Sequence, residues 1–260
     1  MNRILKSALL AAGLLTAASA AWAGPLKLGV SAGPYGEILE FTAKIAAKEG
    51  LEAKVIEFTD WNMPNAALAA GDIDANNFQH QPFLDNQIRQ RGYEIVPVAK
   101  SVVVPMGLYS SKVKQPDALK SGATISIPND PTNGARALGL LVQAGLIKLK
   151  DGAGITATIA DVADNPKKLR FIELDAAQLA RSLDDVDASV VTLNYAVLAG
   201  LNPKTALVLE NDQSKWHLVW AVRKDRAEDP TIKRFIELYR SPEVREFILT
   251  RFNGTIVPTW

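Results

Sequence analysis

An arginine in the first turn of a helix, with amide and carboxylate side chains just ahead of it, is equipped to hold an anion. IPNDPTNGARAL (127–138) has these parts. A strand-like run ends at Pro128, then Asn129, Asp130, Thr132 and Asn133 offer caps, and Arg136 follows. Free backbone N–H groups at such a start favour negative charge. A guanidinium can add a bidentate grip on a carboxylate, a charge-assisted contact of roughly 1.5–3 kcal/mol. The same spacing also suits a plain capping sequence with an exposed arginine.

In a second stretch, FTDWNMPNAALAAGDIDANNFQHQPFLD (58–85), Trp61 precedes a helix start and Phe78, His80 and Phe83 follow a strand. Aromatic rings converging there would form an apolar box for a ligand side chain. His80 is open to four readings: ligand contact, metal ligand, catalytic base, or half-buried polar residue. Metal binding has little support, because the other histidine is His217 and no His-x-x-x-His or acid–histidine cluster supplies a second ligand. In SVVTLNYAVLAG (189–200), Thr192 and Asn194 sit where a strand runs into a helix, and either could cap it or reach into a cleft. Asp184, Asp185 and Asp187 read as a solvated loop beside Arg181. Nucleophile-elbow, phosphate-loop and dinucleotide fingerprints are missing, and there is no cysteine nucleophile.

These residues must be positioned by elements that alternate strand-like and helix-like almost throughout. LKLGV precedes a helical pattern with Ile38, Phe41, Ile45 and Ala46 on one face. AKVIEF leads into a short helix with Pro64 in its first turn. FLDNQIRQRG is a further helix, and YEIVPVAKSVVVPMGLYSS a long β-rich run. A second series follows with ATISIP, TNGARALGLLVQAGLI, KLRFIEL, AAQLARSLDD and ASVVTL, before ALVLE, LVWAVRKD and two final helices near 230–240 and 242–252. Such alternation implies an α/β fold with parallel strands and crossover helices. Two series joined by a strand-like connector, with no Gly/Ser or Pro-rich linker, imply two lobes and a double crossing. The expected division is 24–107 with 197–260 as the first lobe and 108–196 as the second. Ligands in such folds bind in the cleft at the carboxyl ends of strands.

Residues 1–23 carry Arg3 and Lys6, an apolar middle too short to span a bilayer, and Ala-Trp-Ala before Gly24. That is the pattern of a cleavable secretion signal. The chain holds 29 basic and 28 acidic residues, and nothing in that balance points to nucleic acid. With no cysteine it can form neither disulfides nor thiolate metal sites. Lipoproteins carry their lipid on a cysteine at the cleavage point, so the expectation is a periplasmic protein without a lipid anchor. No cofactor is expected.

GPYGEILE, the 58–85 stretch, VPMGLYSSKVK, IPNDPTNGARALGLLVQAGLIKLKDG, ELDAAQLARSLDDVDA and the closing FNGTIVPTW together carry a specific likeness. The chain resembles, over nearly its whole length after residue 23, the NlpA/MetQ group of substrate-binding proteins of bacterial methionine ABC importers. The resemblance implies a two-lobed, type II-like periplasmic-binding-protein fold with the ligand cleft between the lobes. It also implies delivery of methionine or a related small amino acid or carboxylate to a membrane permease driven by an ATPase subunit, with no catalysis. Arg136 matches the arginine that holds the ligand carboxylate. Phe78, His80 and Phe83 match the aromatic wall, Trp61 stands where a tyrosine is usual, and Asn129 and Asn133 match the polar rim.

The departures bear on the ligand. Tyr35 stands where a histidine is usual, and Ala135 replaces a glycine. Thr192 and Leu218 stand where the group places asparagines that hold the amino-acid head group, with Asn194 two residues beyond Thr192. Leu218 would leave a buried ammonium unpaired, at a cost of about 1–3 kcal/mol or more. An alternative to methionine is therefore a sulfur-containing organic acid or a methionyl peptide; a soluble ligand sensor and an enzyme on the same scaffold are the other rivals.

Overall fold

The computed structural model describes residues 24–211 and 215–260. The secretion signal expected over residues 1–23 lies outside them. After β1 (Leu26–Ser31) come α1 (Pro34–Lys48), β2 (Ala53–Phe58), α2 (Met63–Ala70), β3 (Ala75–His80), α3 (Gln81–Arg91) and β4 (Ile95–Val103). The chain continues through β5 (Met106–Tyr109), β6 (Thr124–Pro128), α4 (Pro131–Gln143), β7 (Lys148–Leu149), β8 (Val162–Asp164), β9 (Arg170–Leu174), β10 (Ala188–Thr192), α5 (Leu193–Leu198) and β11 (Val208–Leu209). It ends with β12 (His217–Arg223), α6 (Pro230–Tyr239), α7 (Pro242–Arg251) and β13 (Val257–Pro258).

Two mixed sheets define two lobes. The first runs β13-β4-β12-β3-β1-β2, with β1 parallel to β2 and β3, and β12 antiparallel to β3 and β4. The second runs β11-β5-β10-β6-β9, with β6 parallel to β9 and β10, and β5 antiparallel to β10 and β11. Each lobe has its own apolar core: Leu28, Ile38, Trp220, Phe235 and Ile248 in the first, Leu108, Ile125, Leu138, Leu141 and Val190 in the second. Trp220 is thus a core residue, packed edge-on to Phe235 and Tyr239.

The strand pairing moves both lobe boundaries from where the sequence suggested. Met106 and Gly107 already belong to β5 in the second sheet, so the first crossing is at Val104 and Pro105 rather than after 107. β11 pairs with β5, so the chain returns to the first lobe only between Leu209 and His217, not at 196/197. AAQLARSLDD also departs from a regular helix; it forms two short 3₁₀ turns, Ala176–Gln178 and Arg181–Asp184.

β3 is the least orthodox element. Its sequence ANNFQH is poor in β-formers, yet all six residues are buried between β1 and β12. Asn76 and Gln79 are paired through Asn65: Asn65 and Gln79 exchange two bonds of 2.7 Å, and Asn76 donates to Asn65 at 3.0 Å. Asn77 accepts from the Ser101 hydroxyl at 3.0 Å, and its Nδ2 meets no partner among the described residues. A buried polar network of this kind is tolerated when its members are paired. Its effect is to place Phe78 and His80 inside the strand, not after it, at the strand's carboxyl end.

Candidate functional site

The carboxyl ends of β3 and β10 and the amino-terminal ends of α1, α3 and α4 converge where the lobes meet. β1 hands over to α1 through Gly33, whose φ of 105° lies in the region that favours glycine. This brings Tyr35 into the first turn of α1 and onto the cavity wall. The space left inside the cavity is small, about 20 Å³. Tyr35, Trp61, Phe78, Gln79, His80, Phe83 and Leu218 line it from the first lobe, and Asn133, Arg136 and Thr192 from the second, with Val104 at the crossing.

The apolar end is aromatic. Phe83 meets Trp61, Phe78 and His80 edge-on, with ring centroids 6.0–6.2 Å apart. Such T-shaped pairs are a favoured ring geometry. Trp61 also tilts against Tyr195 of α5 at 5.3 Å, and the Tyr195 hydroxyl donates to the Thr59 carbonyl at 3.1 Å. The Trp61 indole N–H is buried without a hydrogen-bond partner among the described residues.

His80 ends β3 and caps α3. Its Nδ1 accepts the Phe83 N–H at 3.1 Å, which fixes the ring proton on Nε2. Nε2 lies 3.0 Å from Asn133 Oδ1 and donates to it, and Asn133 Nδ2 donates to the Asp130 carboxylate. Asp130 is itself the cap of α4, accepting the Asn133 N–H at 2.9 Å. Cap, asparagine and histidine therefore link the lobes. Burial, reinforced by the nearby Arg136 charge, pulls the His80 pKa down to about 3, so the ring is neutral around pH 7. With both nitrogens engaged, His80 has no lone pair for a metal. No group of three His, Cys, Asp or Glu residues suited to a metal ion occurs among the described residues.

Arg136 is buried, and half of its fork is already used. Nε donates to Glu210 at 3.1 and 3.2 Å, and Nη2 to both the Glu210 carboxylate and, at 2.7 Å, the Val104 carbonyl. The Met106 N–H holds the same carboxylate at 3.2 Å. Trp216 covers the guanidinium at 5.5 Å and packs on His80 at 4.9 Å, so this tryptophan belongs to the site. Among the described residues Nη1 is the nitrogen without a protein partner. The two-pronged carboxylate grip expected of Arg136 is thus reduced to one free nitrogen, because the protein supplies a carboxylate of its own.

The remaining candidates divide. Thr192 reaches the cavity, but its hydroxyl donates to Asn194 Oδ1 at 2.9 Å and does not cap α5. Asn194 is fully buried behind that wall; its Oδ1 also accepts the Tyr35 hydroxyl at 3.5 Å and its Nδ2 has no partner among the described residues. Burial pushes Tyr35 well above the ordinary phenol value despite Arg136, so it stays a neutral donor. Asn129 does not reach the cavity: it is exposed in the adjoining groove with Asn62, Gln87 and Asp175, because it precedes the cap of α4. Leu218, opposite His80 in the β3–β12 register, puts an apolar side chain on the wall. Asp187 serves structure, bonding the Thr124 N–H at 2.8 Å and Lys112 at 3.1 Å.

Sequence reasoning missed Tyr35, Gln79, Val104 and Glu210 as parts of the site. Tyr35 was visible only as a departure from the family pattern. Glu210 lies 74 residues from Arg136 and carries no local signal.

Comparison with known proteins agrees with this architecture. The family model of the NlpA lipoprotein matches residues 26–260. A curated relative from Salmonella typhimurium, described as the D-methionine-binding lipoprotein MetQ, is 44% identical over 239 residues, covering 90% of this chain and 88% of its own. A solved nutrient binding protein from Burkholderia cenocepacia, bound to methionine, superimposes with a TM-score of 0.87 at 49% identity, covering 90% of this chain and 100% of that one. The crystal structure of the methionine binding protein MetQ superimposes with a TM-score of 0.87 at 42% identity, covering 90% and 98%. These names overturn one expectation. The matching family is one of lipoproteins and the Salmonella relative is named as one, which implies membrane association through lipid; the expectation of no lipid anchor, drawn from the lack of cysteine, does not stand.

Proposed function

The chain belongs to the NlpA lipoprotein family, and from that premise we propose that it is the substrate-binding protein of an ABC importer with methionine as its ligand. It takes the amino acid between its lobes, in the hinge-closing manner of two-lobed receptors, and passes it to a permease driven by an ATPase subunit. It performs no chemistry on the ligand. The observation that carries this reading is the cavity itself, which has an aromatic box at one end and a guanidinium at the other. A thioether packs well against ring edges such as those of Trp61, Phe78 and Phe83. Arg136 Nη1 is left to meet the ligand carboxylate. Asn133 holds His80 in place, Thr192 closes the wall, and Asn194 braces Thr192 and Tyr35 from behind.

Thermal unfolding of ligand-stripped protein with and without methionine tests this. Methionine at about 100 times its dissociation constant adds roughly 2.7 kcal/mol, which for a chain of this size is about 5–11 °C in Tm. No shift with methionine, together with a clear shift from another solute, would overturn the reading.

A further inference from the structure

Arg136 is not a lone cation. Its side chain is 4% exposed and that of its partner Glu210 is 10% exposed. Glu210 lies across the Nε–Nη2 edge and is anchored by the Met106 N–H. Among the described residues Arg136 is the charged side chain of the cavity lining, Glu210 meets it from behind that lining, and neutral His80 and Tyr35 add no charge. Among the described residues the buried Arg136–Glu210 pair therefore sums to zero before any ligand arrives.

From this we infer that Glu210 determines specificity by charge balance, making the site select net-neutral zwitterionic amino acids over acids with the same carboxylate and tail but no ammonium. The inference rests on the proposed binding role and deepens it. A zwitterion brings its carboxylate to Arg136 and leaves the total unchanged, Glu210 balancing the ammonium through the shared guanidinium. An amine-free acid would place two carboxylates against one guanidinium in a buried space, and uncompensated buried charge is strongly unfavourable. This runs against the organic-acid ligand that Leu218 and Thr192 suggest. Those residues remove contacts to an ammonium; Glu210 supplies the countercharge.

Calorimetric titration with methionine, 4-(methylthio)butanoate and methionine methyl ester tests it in wild-type protein, Glu210→Gln and Glu210→Asp. In wild type, methionine should bind roughly 100-fold tighter than the acid, and the cationic ester should also be weaker than methionine. In Glu210→Gln the preference for methionine over the acid should shrink at least about tenfold, and Glu210→Asp should restore it. An unchanged preference in folded Glu210→Gln protein would make Glu210 a purely structural partner and overturn the inference. The wild-type series decides even if that variant fails to fold: an acid binding within about threefold of methionine overturns it equally. Wild-type protein that binds none of the three would instead remove the methionine reading on which the inference stands.

Discussion

Arg136→Ala removes one half of a buried ion pair and leaves the other half in place. The Glu210 side chain is only 10% exposed, so its carboxylate would keep the Met106 N–H as its remaining partner. Breaking a buried pair from one side costs about 3–5 kcal/mol, because the surviving charge stays desolvated. For a protein of this size each kcal/mol is worth roughly 2–4 °C, so Tm of the ligand-free protein should fall by about 6–20 °C. Methionine should then give no further protection, since the free Nη1 is gone as well. Adding Glu210→Gln to the same protein separates the two effects. The double variant should regain most of the lost stability, because no charge is left unpaired, and none of the binding. Urea unfolding followed by fluorescence, with and without methionine, measures both. Single-variant stability within about 0.5 kcal/mol of wild type would refute the reasoning, since Glu210 would then not be held in a buried site.

Other consequences follow from the same contacts. His80 has a pKa of about 3 when folded against an unperturbed value of 6.5, so the unfolded chain binds a proton that the folded one does not. Its contribution is constant above pH 6.5 and falls by about 1.4 kcal/mol per unit from there toward pH 3; His80→Gln should flatten the unfolding free energy over that window. Phe83→Ala empties a position packed by Trp61, Phe78 and His80 and should cost about 3–5 kcal/mol by urea unfolding, along with most of the methionine affinity by calorimetry. Leu218→Asn puts an amide on the wall opposite His80 and should tighten methionine binding by about tenfold, the worth of one added hydrogen bond. Methionine should change the fluorescence of wild-type protein, and Trp61→Phe should remove most of that change.

Much of the fold was legible because its signals are local. The helical spacing of Ile38 and Ala46 marks the buried face of α1, and Phe41 from the same pattern stacks on Phe247 at 4.1 Å. Arg136 and Asn133 were legible together because residues three apart share a helix face, whereas Asn129, ahead of the cap, points elsewhere. The aromatic wall was legible by type, yet the strand that carries it was not, since ANNFQH has no β pattern and is stable there only through amide pairs with Asn65 and neighbouring residues. Lobe boundaries were hidden for a different reason. No linker marks them, and membership is decided by which strand Met106 and Val208 pair with. Glu210 was hidden most completely, because a charge pair closed by the tertiary fold leaves no spacing to read. The anchor was misjudged from composition alone.

The most direct measurement is a crystal structure of the protein with methionine. The expected result is a single methionine enclosed between the lobes, its carboxylate within hydrogen-bond distance of Arg136 Nη1 and its thioether among Trp61, Phe78 and Phe83. Methionine bound elsewhere, or oriented with its thioether toward Arg136, would contradict the site assigned to these residues.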